Sequence, residues 1–164
     1  MVRNRKRLGV RFHLWLVLFV LLIANVHDSV AWGPQGHRVV GFISESHLQP
    51  NIKKLILEKF NINSLADVTT WADEIGKKRK EENPQHYTNI AEGQWTYNAA
   101  SDCPSGSCVT AQIQKPPDIL ADSSVPIQQR KDALKYLVHI VGNMHQPLHL
   151  GNKKDRGRGT LRFP

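Results

Sequence analysis

Apolar positions along the chain fall into one unbroken block followed by several periodic stretches. The block is Leu14 to Ala24, eleven residues without a polar interruption. Beyond it, apolar residues recur at intervals of three and four, the spacing of one helix face. Val39 to Leu48 reads as a first helix. Asn51 is an N-cap candidate for a second, with Ile52, Leu55, Ile56 and Phe60 inward. Ser64 is placed to cap a third, with Leu65, Val68, Ala72 and Ile75 inward and basic residues at its C-terminal end. From Asn83 to about Val125 the pattern is lost. Pro84, Pro104, Pro116 and Pro117 predict loop there, with one extended stretch at Trp95–Thr96–Tyr97.

The clearest helix follows Pro126, a residue suited to a first turn. Leu134, Leu137, Val138, Val141 and His145 share one stripe, and Asp132, Tyr136, His139 and Asn143 share the opposite one. The first stripe predicts a core-facing side. The second presents His139 and Asn143 at i, i+4, the spacing of two ligands of one metal on a helix. Pro147 ends or bends the helix, and His149 lies just past the break. No internal repeat is visible, and the expected class is all-α.

The apolar block is too short for a membrane span, which needs roughly twenty residues. Arg3, Arg5, Lys6, Arg7 and Arg11 precede it, and Ser29 and Ala31 supply the small residues of a cleavage site. Residues 1–31 therefore read as a secretory signal peptide, with 32–164 as the exported part and Trp32 as its first residue. An uncleaved membrane anchor is the other reading of this segment.

Composition enters at this point. The 164 residues are 40% hydrophobic and 22% charged, which suits a globular chain of one domain or part of one. The formal net charge is +8, a value that first suggests nucleic acid. The leader holds five basic residues and one acid, so 17 basic and 13 acidic residues remain and the charge halves to +4. The remaining basic residues cluster at Lys77–Lys80 and from Lys153 to Arg162. Glu81 and Glu82 follow the first cluster, so a solvated helix end accounts for it as well as an anion site does.

Two cysteines exclude a disulfide-dense mini-protein and a Cys-rich zinc finger. Cys103 and Cys108 bracket a Pro/Gly/Ser loop of the kind a short bridge closes, and export permits a disulfide there. Six histidines follow the leader. His145 lies in the apolar stripe and is expected as a hydrogen-bonded core residue, and His47 as a surface residue near a helix end. His37, His86, His139 and His149 are left, with Asp73 as the best-placed carboxylate. Neutral imidazole with carboxylate is a donor set that suits zinc.

Four motifs then occur in one order: WGPQGH at 32–37, WAD at 71–73, HYTNI at 86–90 and LVHIVGNMHQPLH at 137–149. Together they resemble the secreted zinc-dependent, single-strand-specific nucleases of the mung-bean type, relatives of the zinc phospholipases C. The resemblance spans 32–159 and implies the all-α zinc phospholipase C/nuclease-like fold, of which this chain would hold the N-terminal half. It implies up to three zinc ions in one cleft. One would take Asp73, His86, His139 and position 143. A second would take the free amine and carbonyl oxygen of Trp32, with His37 and a share of position 143. A third would take His149 and two ligands further along the family's sequence. Asp73, with water on the zinc, would be the catalytic residue. The implied activity is hydrolysis of single-stranded DNA and RNA to 5′-phosphate products, with removal of 3′-phosphates from nucleotides. The implied setting is a secreted or periplasmic monomer with no lasting membrane association.

These implications are chemically coherent. A terminal amine with a pKa of about 8 can lose its proton to a cation and chelate together with its own carbonyl. Zinc lowers the pKa of a bound water toward about 7 and offsets charge on a phosphoryl group. Exposed aromatics stack unpaired bases, which favours single strands.

Four departures stand out. Position 143, a bridging Asp in the family, is Asn143. An amide is neutral and bridges metals poorly, so either weaker zinc binding or lost activity follows. The family's phosphate-facing Arg is replaced by Gly76, with Lys77 or Lys78 the nearest substitutes. Asn89 stands for a common Asp. DRGRG at 155–159 resembles a Gly-rich loop after which the family continues for about as many residues again. The third zinc would then have one protein ligand here, and this chain alone would have little or no nuclease activity. Two other functions stay open: an inactive exported remnant that binds zinc or nucleic acid, and a zinc phospholipase C.

Overall fold

The computed structural model describes residues 32–91 and 93–151. The signal-peptide segment, the second basic cluster and DRGRG lie outside the described residues. Helices and 3-10 turns carry the fold, and no strand occurs among the described residues. This is the all-α class expected. In chain order the helices are α1 (Pro34–Ser46), α2 (Pro50–Phe60), α3 (Trp71–Gly76), α4 (Ala99–Asp102), α5 (Val109–Gln112), α6 (Lys115–Ala121) and α7 (Ile127–Met144). Turns of 3-10 helix occupy Leu65–Val68, Lys80–His86 and Pro147–Leu150. No helix among the described residues is long and apolar enough to cross a membrane.

Proline and a few side-chain caps explain most boundaries. Pro34 and Pro50 sit in the first turns of α1 and α2, where the missing N–H costs nothing. So α1 starts five residues before the position expected from its apolar pattern. Gln49, not Asn51, is the N-cap of α2. Asn61 ends α2 in the left-handed conformation, with φ 49°. Ser64 caps as expected: its hydroxyl accepts from the Ala66 N–H at 3.2 Å. The same hydroxyl donates to Glu45 Oε2 at 2.6 Å, and that oxygen also accepts from the Leu65 N–H. This ties α1 to the next turn. The expected third helix is in fact two pieces, the Leu65–Val68 turn and α3.

The segment from Asn83 to Val125 holds more helix than its prolines predict. Asn98 caps α4 through Ala100 N–H, and Pro116 and Pro117 open α6 rather than break it. Trp95–Thr96–Tyr97 forms no strand. The Cys103–Cys108 disulfide closes the loop between α4 and α5.

The long helix α7 is the axis of the fold. It packs against α1, α2, α3, α5 and α6. Near its N-terminal half, Leu134 and Val138 join Ile56, Phe60, Ile62 and Leu65 in the core. The expected contrast between a buried and an exposed stripe does not hold along its length. Ile140, His139 and Asn143 are almost wholly buried, and His145 is exposed. The polar stripe is covered because α1 and α3 both cross it. His145 satisfies its Nδ1 locally, on the Val141 carbonyl at 2.8 Å, and is not a core residue. His47 is exposed at the end of α1, as expected. The inward face of α2 is also narrower than its pattern suggests: Ile56 and Phe60 are buried, Ile52 and Leu55 exposed.

Gly41 lets α1 approach the Leu65–Val68 turn. A Cβ there would lie 2.7 Å from Ala66 Cα, a backbone atom that cannot swing aside. At Gly76 a Cβ would meet nothing closer than 3.8 Å. Gly41→Ala should therefore lower unfolding free energy by about 1–3 kcal/mol through overpacking. Gly76→Ala should be neutral or stabilising by up to about 1 kcal/mol. Urea denaturation of both variants checks the contrast.

Candidate metal centre

Two imidazoles, one carboxylate and one carboxamide converge on the C-terminal half of α7. His139 and Asn143 project from successive turns of that helix, at 0% and 1% exposure. Asp73 comes from α3, and His86 ends the Lys80–His86 turn. Asp73 Oδ1 lies 3.4 Å from His139 Nε2 and 3.7 Å from His86 Nδ1. The two ring nitrogens are 2.9 Å apart. Asn143 Nδ2 is 3.0 Å from His139 Nε2 and 3.2 Å from His86 Nδ1.

His37 enters from α1. Its ring stacks on His139 with centroids 4.4 Å apart and 12° between planes. Ligand atoms of His37, Asp73 and His139 all lie within 4.8 Å of one another. His37 on one side and Asp73 with His139 on the other, expected to serve separate zinc ions, thus lie together in a single cluster of side chains. Trp32, His37, Asp73, His86, Asn143 and His149 line one cleft of about 1070 Å³. That cleft also takes in Lys77, Lys80 and Tyr87. Of the two lysines expected near the absent Arg, Lys77 reaches the cleft wall and Lys78 does not.

Each member is held by identifiable contacts. His139 Nδ1–H donates to the Thr69 carbonyl at 2.7 Å, leaving the lone pair of Nε2 aimed at the cluster. His86 is anchored through its neighbours. Tyr136 donates to Gln85 Oε1 at 3.0 Å, and Thr88 N–H donates to the His149 carbonyl at 2.8 Å. Val109 N–H, just after the disulfide, donates to the Tyr87 carbonyl. His37 reaches the cluster because position 142 has no side chain. A Cβ on Gly142 would sit 2.6 Å from His37 Nδ1.

Electrostatics keep the imidazoles neutral. Burial pushes the pKa of His139 down to about 4, against the upward pull of Asp73. Burial also lowers His37 and His86, again opposed by Asp73. A neutral imidazole offers its lone pair to a cation without first losing a proton.

The geometry suits a divalent cation. Ligand bonds of about 2.0–2.1 Å place neighbouring ligand atoms about 2.9–3.4 Å apart in octahedral or tetrahedral arrangements. In the Asp73–His86–His139 triangle the edges of 2.9 and 3.4 Å fall in that range and the third, 3.7 Å, lies just beyond it. The buried Nδ1 of His37 has no hydrogen-bond partner, an uncompensated group beside that triangle.

Some participants were not legible in the sequence. Thr69 acts through its carbonyl, a group every residue has. Gly142 carried a signal, since a glycine inside a strong helical pattern marks a close approach.

Comparison with known proteins gives a consistent result. Residues 32–163 match the family model described as S1/P1 Nuclease. Endonuclease 5 of Arabidopsis thaliana is 32% identical over 90% of this chain and 55% of its own length. Endonuclease 3 of the same plant is 30% identical over 94% of this chain and 56% of its own. Nuclease S1 of Aspergillus oryzae is 32% identical over 84% of this chain and 50% of its own. The chain spans about half the length of the curated relatives it matches.

The lowered histidines make stability pH-dependent in the metal-free protein. Unfolded imidazoles take protons near 6.5, while folded His139 resists until about 4. The unfolded state therefore binds more protons within this window. Stability is full above about 6.5 and falls as pH drops toward about 4. Melting temperature measured against pH in excess chelator should show this decline, and His139→Gln should flatten it.

Proposed function

The chain belongs to the S1/P1 nuclease family, and on that premise we propose that its cleft is the phosphodiester-cleaving centre of a secreted zinc-dependent nuclease. The substrates are single-stranded DNA and RNA, with 5′-phosphate products and removal of 3′-phosphates from nucleotides. The observation that carries this reading is the Asp73–His86–His139 triangle at coordination spacing, opening into a cleft of about 1070 Å³.

Asp73, His86, His139 and Asn143 would hold one zinc, with His37 and Trp32 beside it and His149 at a further position on the same wall. Zinc bound there would lower the pKa of water and offset the negative charge that builds on a phosphoryl group under attack. The chain's own residues supply the rest. Asp73, half exposed, is the carboxylate able to orient a water and accept its proton at the cleft floor. Lys77 and Lys80 reach the cleft wall, where their ammonium groups would meet phosphate oxygens. The Tyr87 ring offers an unpaired base a surface to stack on, which a base inside a duplex could not use.

Asn143 favours a second reading. Where the family resemblance implies a bridging carboxylate, the group facing the imidazoles is an N–H donor. On this reading the protein binds zinc or nucleic acid without cleaving it.

One experiment separates the two. The purified protein is loaded with zinc, its metal content is counted by native mass spectrometry, and it is incubated with single- and double-stranded DNA. Zinc-dependent cleavage of the single strand, lowered at least about a hundredfold by Asp73→Asn, supports the nuclease reading. Retained zinc without cleavage supports the binder. Absence of zinc binding overturns the nuclease reading, and absence of both zinc and DNA binding overturns the two together.

A further inference from the structure

The Cys103–Cys108 disulfide lies outside the converging cluster, yet its contacts run to the cleft wall. Both cysteines are buried. Val109, the next residue and wholly buried, donates its N–H to the Tyr87 carbonyl at 3.1 Å. Thr110 Oγ1 lies 3.0 Å from Cys108 Sγ and 3.1 Å from Thr88 Oγ1. Thr88 Oγ1 also accepts from the Thr110 N–H at 3.3 Å. Thr88 is 1% exposed and donates its own N–H to the His149 carbonyl, 2.8 Å away. Tyr87 and His149 both line the cleft. On its other side the disulfide loop is held by Gln112, a buried residue whose Nε2 donates to the Gly106 carbonyl at 2.9 Å.

The sulfur sets the direction of this chain of donors. A disulfide sulfur carries no proton and can only accept. The Thr110 hydroxyl therefore donates to Cys108 Sγ. Its oxygen is left to accept from the Thr88 hydroxyl, whose oxygen accepts from the Thr110 N–H. Each proton then has one acceptor. A thiol at 108 would bring a proton of its own and compete with this order. We propose that the Cys103–Cys108 disulfide is a redox-dependent brace for the cleft wall. Closed, it holds Tyr87 and His149 in place through Val109, Thr110 and Thr88; opened, it lets that wall loosen. Opening takes two electrons and two protons from a dithiol, which leaves as its own disulfide, and yields two thiols. This rests on the nuclease reading above and adds a condition to it: the protein grips a single strand fully only where thiols are oxidised. Thr88 and Thr110 are positioning residues, acting on the strand through Tyr87 and His149.

The test compares the zinc-loaded, oxidised protein with Cys103→Ala/Cys108→Ala and with Thr110→Val, well below their melting temperatures. Thr110→Val keeps the disulfide and removes only the hydroxyl, so it decides the matter if the cysteine variant does not fold. Amide hydrogen exchange reads the brace directly. The Thr88 amide should exchange about tenfold faster in the variants, while the buried Ile140 of α7 keeps its protection. Affinity for a single-stranded phosphorothioate oligonucleotide, which resists cleavage, reads the consequence. Its Kd should rise about tenfold, the size of one weakened base-stacking contact. A disulfide that only stabilises the fold would lower the melting temperature and move neither quantity. Unchanged Thr88 exchange or an unchanged Kd overturns the brace and leaves the nuclease reading standing. Absence of oligonucleotide binding by the oxidised, zinc-loaded protein overturns the nuclease reading and the brace with it.

Discussion

The hydrogen bond from His139 Nδ1 to the Thr69 carbonyl, 2.7 Å long and fully buried, is the constraint on which the site depends. It joins the central helix to the chain just before α3. It selects one tautomer of His139 and points the remaining lone pair at Asp73 and His86. The stacked ring of His37 then has a fixed surface to rest on. Loss of this bond would leave a buried carbonyl and a buried ring N–H unpaired, each a costly outcome. Thus the feature that orients the cluster also fastens α3 to α7, and site and fold share one contact.

The fold was legible where periodicity and punctuation agreed. Pro126, the 3.6-residue pattern and Pro147 mark α7 closely, because all three act locally on the backbone. Faces were harder to read than elements. The polar stripe with His139 and Asn143 looks solvent-facing by composition, yet it is the more buried side near the helix end. Hydropathy cannot anticipate that, because burial of polar groups depends on partners supplied by α1, α3 and the Lys80–His86 turn. The prolines between 83 and 125 misled for a related reason: a proline in a first turn starts a helix, and sequence alone does not distinguish that role from a break.

The site was more legible than the fold around it. Asp73, His86, His139, Asn143 and His37 are brought together from four separate segments, and the motif order carried that information. What the motifs could not show is which protein group holds each side chain in place. Backbone acceptors such as Thr69 have no signature in residue chemistry, and the glycine at 142 signals a close approach without naming His37 as what approaches. They emerge only when two segments meet.

Charge gives the last step. Burial keeps His37, His86 and His139 neutral, and Asn143 is neutral by nature. Asp73 is then the single formal charge among the groups that converge. A cluster of neutral donors costs far less to bury than a cluster of carboxylates, which would repel one another in a low-dielectric setting. The same economy means that the cluster has little positive field of its own with which to attract a phosphate. Lys77 and Lys80 stand on the cleft wall, outside the converging set. The +4 balance of residues 32–164 is therefore a poor guide to the cleft. Neutral imidazoles beside a single carboxylate keep their lone pairs open to a cation, and a cation bound there would supply the positive charge that the cleft floor lacks.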